Sequence, residues 1–103
     1  MNSDIIPEPI EFEWDKGNTD KNFKKHGISN EEAEEVFLNG PFIYKDFEHS
    51  KIEKRYNCLG ETDKRKKIFI SFTIRGDKTR LISIRLMSKK ERQKYAKNIQ
   101  ENS

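Results

Sequence analysis

The spacing of apolar residues changes at Pro41. Between Thr19 and Pro41 they recur every third or fourth position, as on one face of a helix; after it they recur every second position, as on one face of a strand. "KKIFISFTIRGDKTRLISIRLMS" is the clearest case. Ile68, Ile70, Phe72 and Ile74 share one face, leaving Phe69, Ser71, Thr73 and Arg75 on the other. After Gly76-Asp77, a hairpin signal, Ile82, Ile84 and Leu86 alternate with Leu81, Ser83, Arg85 and Met87. "FIYKDFE" and "KRYNCLGE" read as two further strands, the second with Tyr56 and Cys58 on one side and Arg55, Asn57 and Leu59 on the other.

Upstream, "EFEWD" alternates polar and aromatic residues and predicts a short first strand, with Phe12 and Trp14 as core anchors. "TDKNFKKHGIS" predicts a short helix that Thr19 or Asp20 caps and Gly27 ends. In "SNEEAEEVFLNG", Ser29 and Glu32 form a capping box ahead of an apolar stripe of Ala33, Val36 and Phe37, and Gly40-Pro41 stops the helix. A second capping box, Ser88 with Glu91, opens a basic terminal helix. The expected order is strand, two helices, four strands, helix. That is an α+β domain over residues 11–100 with a four-stranded, mainly antiparallel sheet. Residues 1–10, with Pro7 and Pro9, are expected to form a flexible leader. The hydrocarbon face should pack on the early helices, leaving the face of Ser83 and Arg85 for a ligand or a closing element.

Composition narrows the class. Only 32% of the 103 residues are hydrophobic and 38% are charged, but seven Phe, three Tyr and one Trp argue for a packed domain. No run approaches the roughly 18 apolar residues of a membrane span, and no basic-then-apolar leader opens the chain; a cytoplasmic protein is expected. The single cysteine, Cys58, reads as a small buried hydrophobe. Charge is unevenly divided. Residues 1–53 carry 13 acidic and 6 basic side chains, whereas residues 54–103 carry 5 acidic and 15 basic ones. The second half is therefore the one suited to phosphate. For Lys64 to Lys67 a solvated turn is the simpler reading.

No CxxC pair, HExxH, P-loop, glycine-rich dinucleotide turn or Gly-x-Ser-x-Gly elbow is present, so no metal or cofactor is expected. Arginine, lysine, histidine and tyrosine remain, and they suffice for cleaving RNA. That polymer carries its own nucleophile, the 2′-hydroxyl, and needs only orientation, charge stabilisation and proton transfer. Arg85 is the first candidate for phosphate, against an ion pair with Glu91 or Glu53. Arg80 falls on the other phase of its strand, where a salt bridge or RNA contact would serve; Arg55 contacts phosphate or is held by Glu53. His49, in a charged connection, and His26, at a helix end, are either solvated or suited to proton transfer. Lys89 and Lys90 are candidate RNA contacts, Phe69 could stack on a base, and Tyr95 packs or touches RNA.

"FEWD", "KHGIS" followed by "EEA" and "EVF", then a histidine ahead of Glu53-x-Arg55, then a glycine, "TRLISIR" and the pair Glu91 and Tyr95 resemble the BrnT toxins across about residues 11–97. The resemblance implies a RelE-like fold and a metal-independent endoribonuclease of a type II toxin–antitoxin system that cleaves RNA and halts translation and growth. It also implies neutralisation by a BrnA-like ribbon-helix-helix antitoxin, with DNA reached only through that partner. It carries site roles onto His26, His49, Arg55, Arg80 and Arg85, and matches Glu91 and Tyr95. The family's usual Ser-Ala-Arg is Ser83-Ile84-Arg85 here, a larger residue on the inferred core face. The alternative is a non-catalytic module that binds the antitoxin or a nucleic acid and regulates its own operon; RNA retention without new fragment ends would mark it.

Overall fold

The computed structural model describes residues 5–14, 25–48 and 53–102. Its elements are β1 (Phe12–Glu13), α1 (Asn30–Leu38), β2 (Phe42–Asp46), β3 (Arg55–Glu61), β4 (Lys67–Arg75), β5 (Lys78–Leu86) and α2 (Lys89–Asn102). The strands form one sheet in the order β1-β5-β4-β3-β2. β2 to β5 make an antiparallel meander, and β1 joins the far edge parallel to β5, so the sheet is five-stranded and mixed instead of four-stranded. The hairpin turns on Gly76, whose φ of +61° suits the first central position of a type II′ turn.

Of the first expected helix, Lys25 and His26 are helical and Gly27 follows at φ +67°; the rest lies outside the described residues. α1 starts at the expected capping box: Ser29 Oγ accepts from the Glu32 amide (3.2 Å) and Glu32 Oε1 from the Ser29 amide (3.0 Å). Its stripe of Ala33, Val36 and Phe37 packs on Ile43, Cys58, Ile68, Ile70, Phe72, Leu81 and Ile84. Burying Val36 and Phe37 is worth about 2 kcal/mol each. The helix passes so close to β3 that a Cβ on Gly60 would lie 2.7 Å from Val36 Cγ1.

Two expectations need correcting. Residues 5–10 are not a loose leader, because Ile6 is buried in this core with Ile5 and Ile10 against it. The prolines bar pairing, not packing. Strict alternation fails in β5: Ser71 faces Ser83, but Phe72 faces Leu81, so Ile82 is the extra residue of a β-bulge. Beyond it Leu81, not Ile82, takes the core face. On the second face, expected to take a ligand or a closing element, the terminal helix α2 is that element at one end, over a small core of Leu59, Phe69, Met87 and Tyr95 flanked by Phe42 and Tyr44.

Candidate functional site

Directly paired residues of neighbouring strands put their side chains on the same face, so the register sets three rungs across the middle of the face away from α1, between the pairs Glu61–Lys67 and Arg75–Lys78. The first is Phe42, Leu59, Phe69 and Arg85. The second, wholly polar, is Tyr44, Asn57, Ser71 and Ser83. The third is Asp46, Arg55, Thr73, Arg80 and, across the parallel edge, Glu13. α2 covers the first rung.

The bulge at Ile82 decides where Arg80 points. Five positions separate Arg80 from Arg85, and strict alternation would put them on opposite faces; the extra residue puts them on the same one. Arg80 then shares a rung with Arg55, with Thr73 between them, the two backbones about 10 Å apart. Arg55 is half-buried, and Arg80 reaches Glu13 at 3.3 Å across the edge of the sheet. Thr73 is buried and donates its hydroxyl proton to the Lys54 carbonyl at 2.6 Å.

Arg85 is held differently. Its Nη1 and Nη2 donate to Glu91 Oε1 and Oε2 at 2.7 and 2.8 Å, and its guanidinium carbon lies 3.9 Å from the centre of the Phe69 ring. Glu91 Oε1 also accepts from the Ser88 amide (2.8 Å), so one carboxylate closes the capping box of α2 and grips Arg85. Burial alone would raise the Glu91 pKa, but the hydrogen bonds from Arg85 and Ser88 outweigh it and leave the group below its ordinary value. The hydrogen bond to Glu91 likewise raises Arg85. Of the two expected partners of Arg85, Glu91 is the actual one; Glu53 reaches Arg75 at 3.7 Å.

Other expected site residues separate. Phe69 is buried, and Arg85 occupies its outer face, so a base has no ring to stack on. Tyr95 is buried in the second core and donates to Glu61 Oε2 at 3.0 Å; burial first, then Glu61, pushes its hydroxyl up to about 12. Both are packing residues. Lys89 and Lys90 stand exposed on the first turn of α2. His26 lies on the α1 side of the sheet: the next carbonyl, Gly27, accepts from Lys66 Nζ at 3.2 Å, and Ile28 is buried in the α1-side core. The sheet stands between it and the arginines. His49 lies outside the described residues.

Tyr44, Asn57 and Glu13 belong to the site, although the sequence did not single them out. The parity of Tyr44 with Asp46 and of Asn57 with Arg55 was visible, but which strand edges meet was not. Tyr44 is half-buried with Lys94 Nζ 3.6 Å from its ring centre, and burial, then Glu91, raises its hydroxyl pKa. Among the described residues no three His, Cys, Asp or Glu side chains gather as a metal site, and no helix is long and apolar enough to cross a membrane.

A family model described as "Ribonuclease toxin, BrnT, of type II toxin-antitoxin system" matches residues 14–91. The fold is similar to the crystal structure of the Brucella abortus ribonuclease toxin BrnT, with a TM-score of 0.60 and 24% identity over 78% of this chain and 99% of that one. No curated protein matches.

Proposed function

The chain belongs to the BrnT family of ribonuclease toxins of type II toxin–antitoxin systems, and from that premise we propose that it cleaves RNA at the rung of Arg55, Thr73 and Arg80, without a metal ion. The observation that carries this reading is the β-bulge, which turns Arg80 onto the face and rung of Arg55. Two guanidiniums flanking one position can hold a scissile phosphate between them and stabilise the charge that builds on the phosphorane. The 2′-oxygen attacks phosphorus, the bond to the 5′-oxygen breaks, and the products are a 2′,3′-cyclic phosphate and a 5′-hydroxyl. His49 takes the proton-transfer role: the sequence puts it on the connection between Asp46 and Arg55, the neighbours that open the same rung. His26 has no part, being on the α1 side. Lys89 and Lys90 contact phosphates further along the strand. The partner is an antitoxin of the BrnA-like ribbon-helix-helix kind, DNA is reached through it alone, and the site of action is the cytoplasm.

The test is cleavage of naked RNA by the purified chain in excess EDTA, with the ends of the fragments identified. Arg80→Ala and Arg55→Ala should each lower the rate at least about a hundredfold while melting as the unmodified chain does. Full activity in the double variant, or binding with no new fragment ends, would overturn the reading.

A further inference from the structure

We propose that the Arg85 guanidinium is a second phosphate subsite for the RNA strand and that Glu91 occupies it, in place of a phosphate, until RNA displaces the carboxylate. This rests on the reading of the opposite rung as the cleavage site and adds a contact remote from the reacting bond. A guanidinium offers a planar fork that fits carboxylate and phosphate alike. Here the fork is flat against Phe69 at 3.9 Å and both of its ends are taken by Glu91. The chain itself has thus built an anion seat and filled it.

Position argues for RNA as the competing anion. Arg85 and Arg80 are on one face, and Phe69 and Thr73, their partners in β4, are four residues apart. That is about 13 Å along the strands, so the subsite takes a different phosphate of the same RNA strand from the one at Arg80. Between them lies the polar rung, with Ser83 exposed at its end. The rim of the seat is cationic too: Lys89 and Lys90 are exposed two residues and one residue before Glu91, and the exposed Lys67 gives its carbonyl to the Met87 amide at 3.1 Å. Lys94, one turn on from Glu91, sits over Tyr44. Glu91, with a side chain only 16% exposed, is the one carboxylate paired with Arg85 among the described residues. A phosphate cannot take the Nη1–Nη2 edge while Glu91 holds it, so RNA that engages that edge of Arg85 must detach Glu91 from the guanidinium.

Glu91→Gln separates the two roles of the carboxylate. Glutamine still closes a capping box but brings no charge to Arg85. Binding is measured with 2′-O-methyl RNA, which lacks the nucleophile. Glu91→Gln should bind about three- to tenfold more tightly than the unmodified chain, and Arg85→Ala in the Glu91→Gln chain should abolish that gain. Affinity that is unchanged or weaker in a folded Glu91→Gln chain overturns the proposal. In the unmodified chain, adding the same RNA should shift the Glu91 carboxylate carbon signal as its bonds to Arg85 break; a Glu91 signal that stays put while RNA binds also overturns it. Should the unmodified chain bind no RNA, this inference and the reading of function fall together. Cleavage that depends on Arg80 with no gain in Glu91→Gln sinks this inference alone.

Discussion

Ile82 occupies one position more than the pairing of β4 and β5 can use, and the side chains beyond it change face as a result. Had β5 alternated strictly from Arg85, Leu81 would stand on the outer face and Arg80 would be driven into the core opposite Ile74. The core is better filled by Leu81, 2% exposed, and a buried unpaired guanidinium would be prohibitive. Deleting Ile82 therefore tests the assignment. With the bulge, the deletion leaves every other residue of β5 on its present face, and the chain should fold with a loss of no more than about 2 kcal/mol by chemical denaturation. A chain that fails to fold without Ile82 would show that Ile82 is no spare residue, and the assignment would fall. The sequence could not decide this, because Leu81 and Ile82 are both apolar and either can head the core face. It did name Glu91 as a partner for Arg85, but that Phe69 lies beneath the guanidinium follows from cross-strand register, and that the pair is bidentate follows from where α2 sets Glu91.

α1 and α2 were legible from the same local grammar, a serine followed three residues later by a glutamate, and both capping boxes are formed. What local grammar leaves out is what else each glutamate meets. Glu32 also takes Lys66 at 2.9 Å, and Glu91 takes Arg85. Both carboxyls are held below their ordinary pKa: Glu32 by the Ser29 amide first and then Lys66, Glu91 by Arg85 and Ser88 against its burial. The sign follows directly. A carboxyl whose folded pKa is depressed adds stability above its unfolded value, about 4.3, and loses that contribution as pH falls through the folded value. Melting temperature should therefore fall as pH drops below about 4, and Glu91→Gln should flatten part of that fall while lowering stability at pH 7. If thermal melts of the two chains decline in parallel below pH 4, the Arg85 pair contributes nothing to holding α2. The sheet's second core was the harder inference: among the described side chains of α2 only Tyr95 is buried, too little for a periodic stripe to announce which face it covers.

At the scale of the molecule, the uneven charge of the chain becomes two unlike faces. α1 carries Glu31, Glu32, Glu34 and Glu35 and no basic residue, while the three rungs and α2 come chiefly from the basic second half. On the proposed function, an RNA strand would be repelled from the first and drawn to the second, which would set the side of approach before any specific contact forms. Such binding should release counterions in proportion to the phosphates neutralised, with a slope of about −0.7 per phosphate for single strands in log affinity against log salt. Contacts at the Arg55–Arg80 rung, at Arg85 and at Lys89 and Lys90 amount to about three phosphates, hence a slope near about −2 for 2′-O-methyl RNA, measured by fluorescence anisotropy from low to physiological salt. Arg80→Ala should lessen the slope by at most about 0.7, because Arg55 still meets the same phosphate. Removing Lys89 and Lys90 together should lessen it by a similar amount while sparing the cleavage rate at saturating RNA. A slope that neither change moves would mean that RNA approaches by another surface, and the rungs would then have to be read as scaffold.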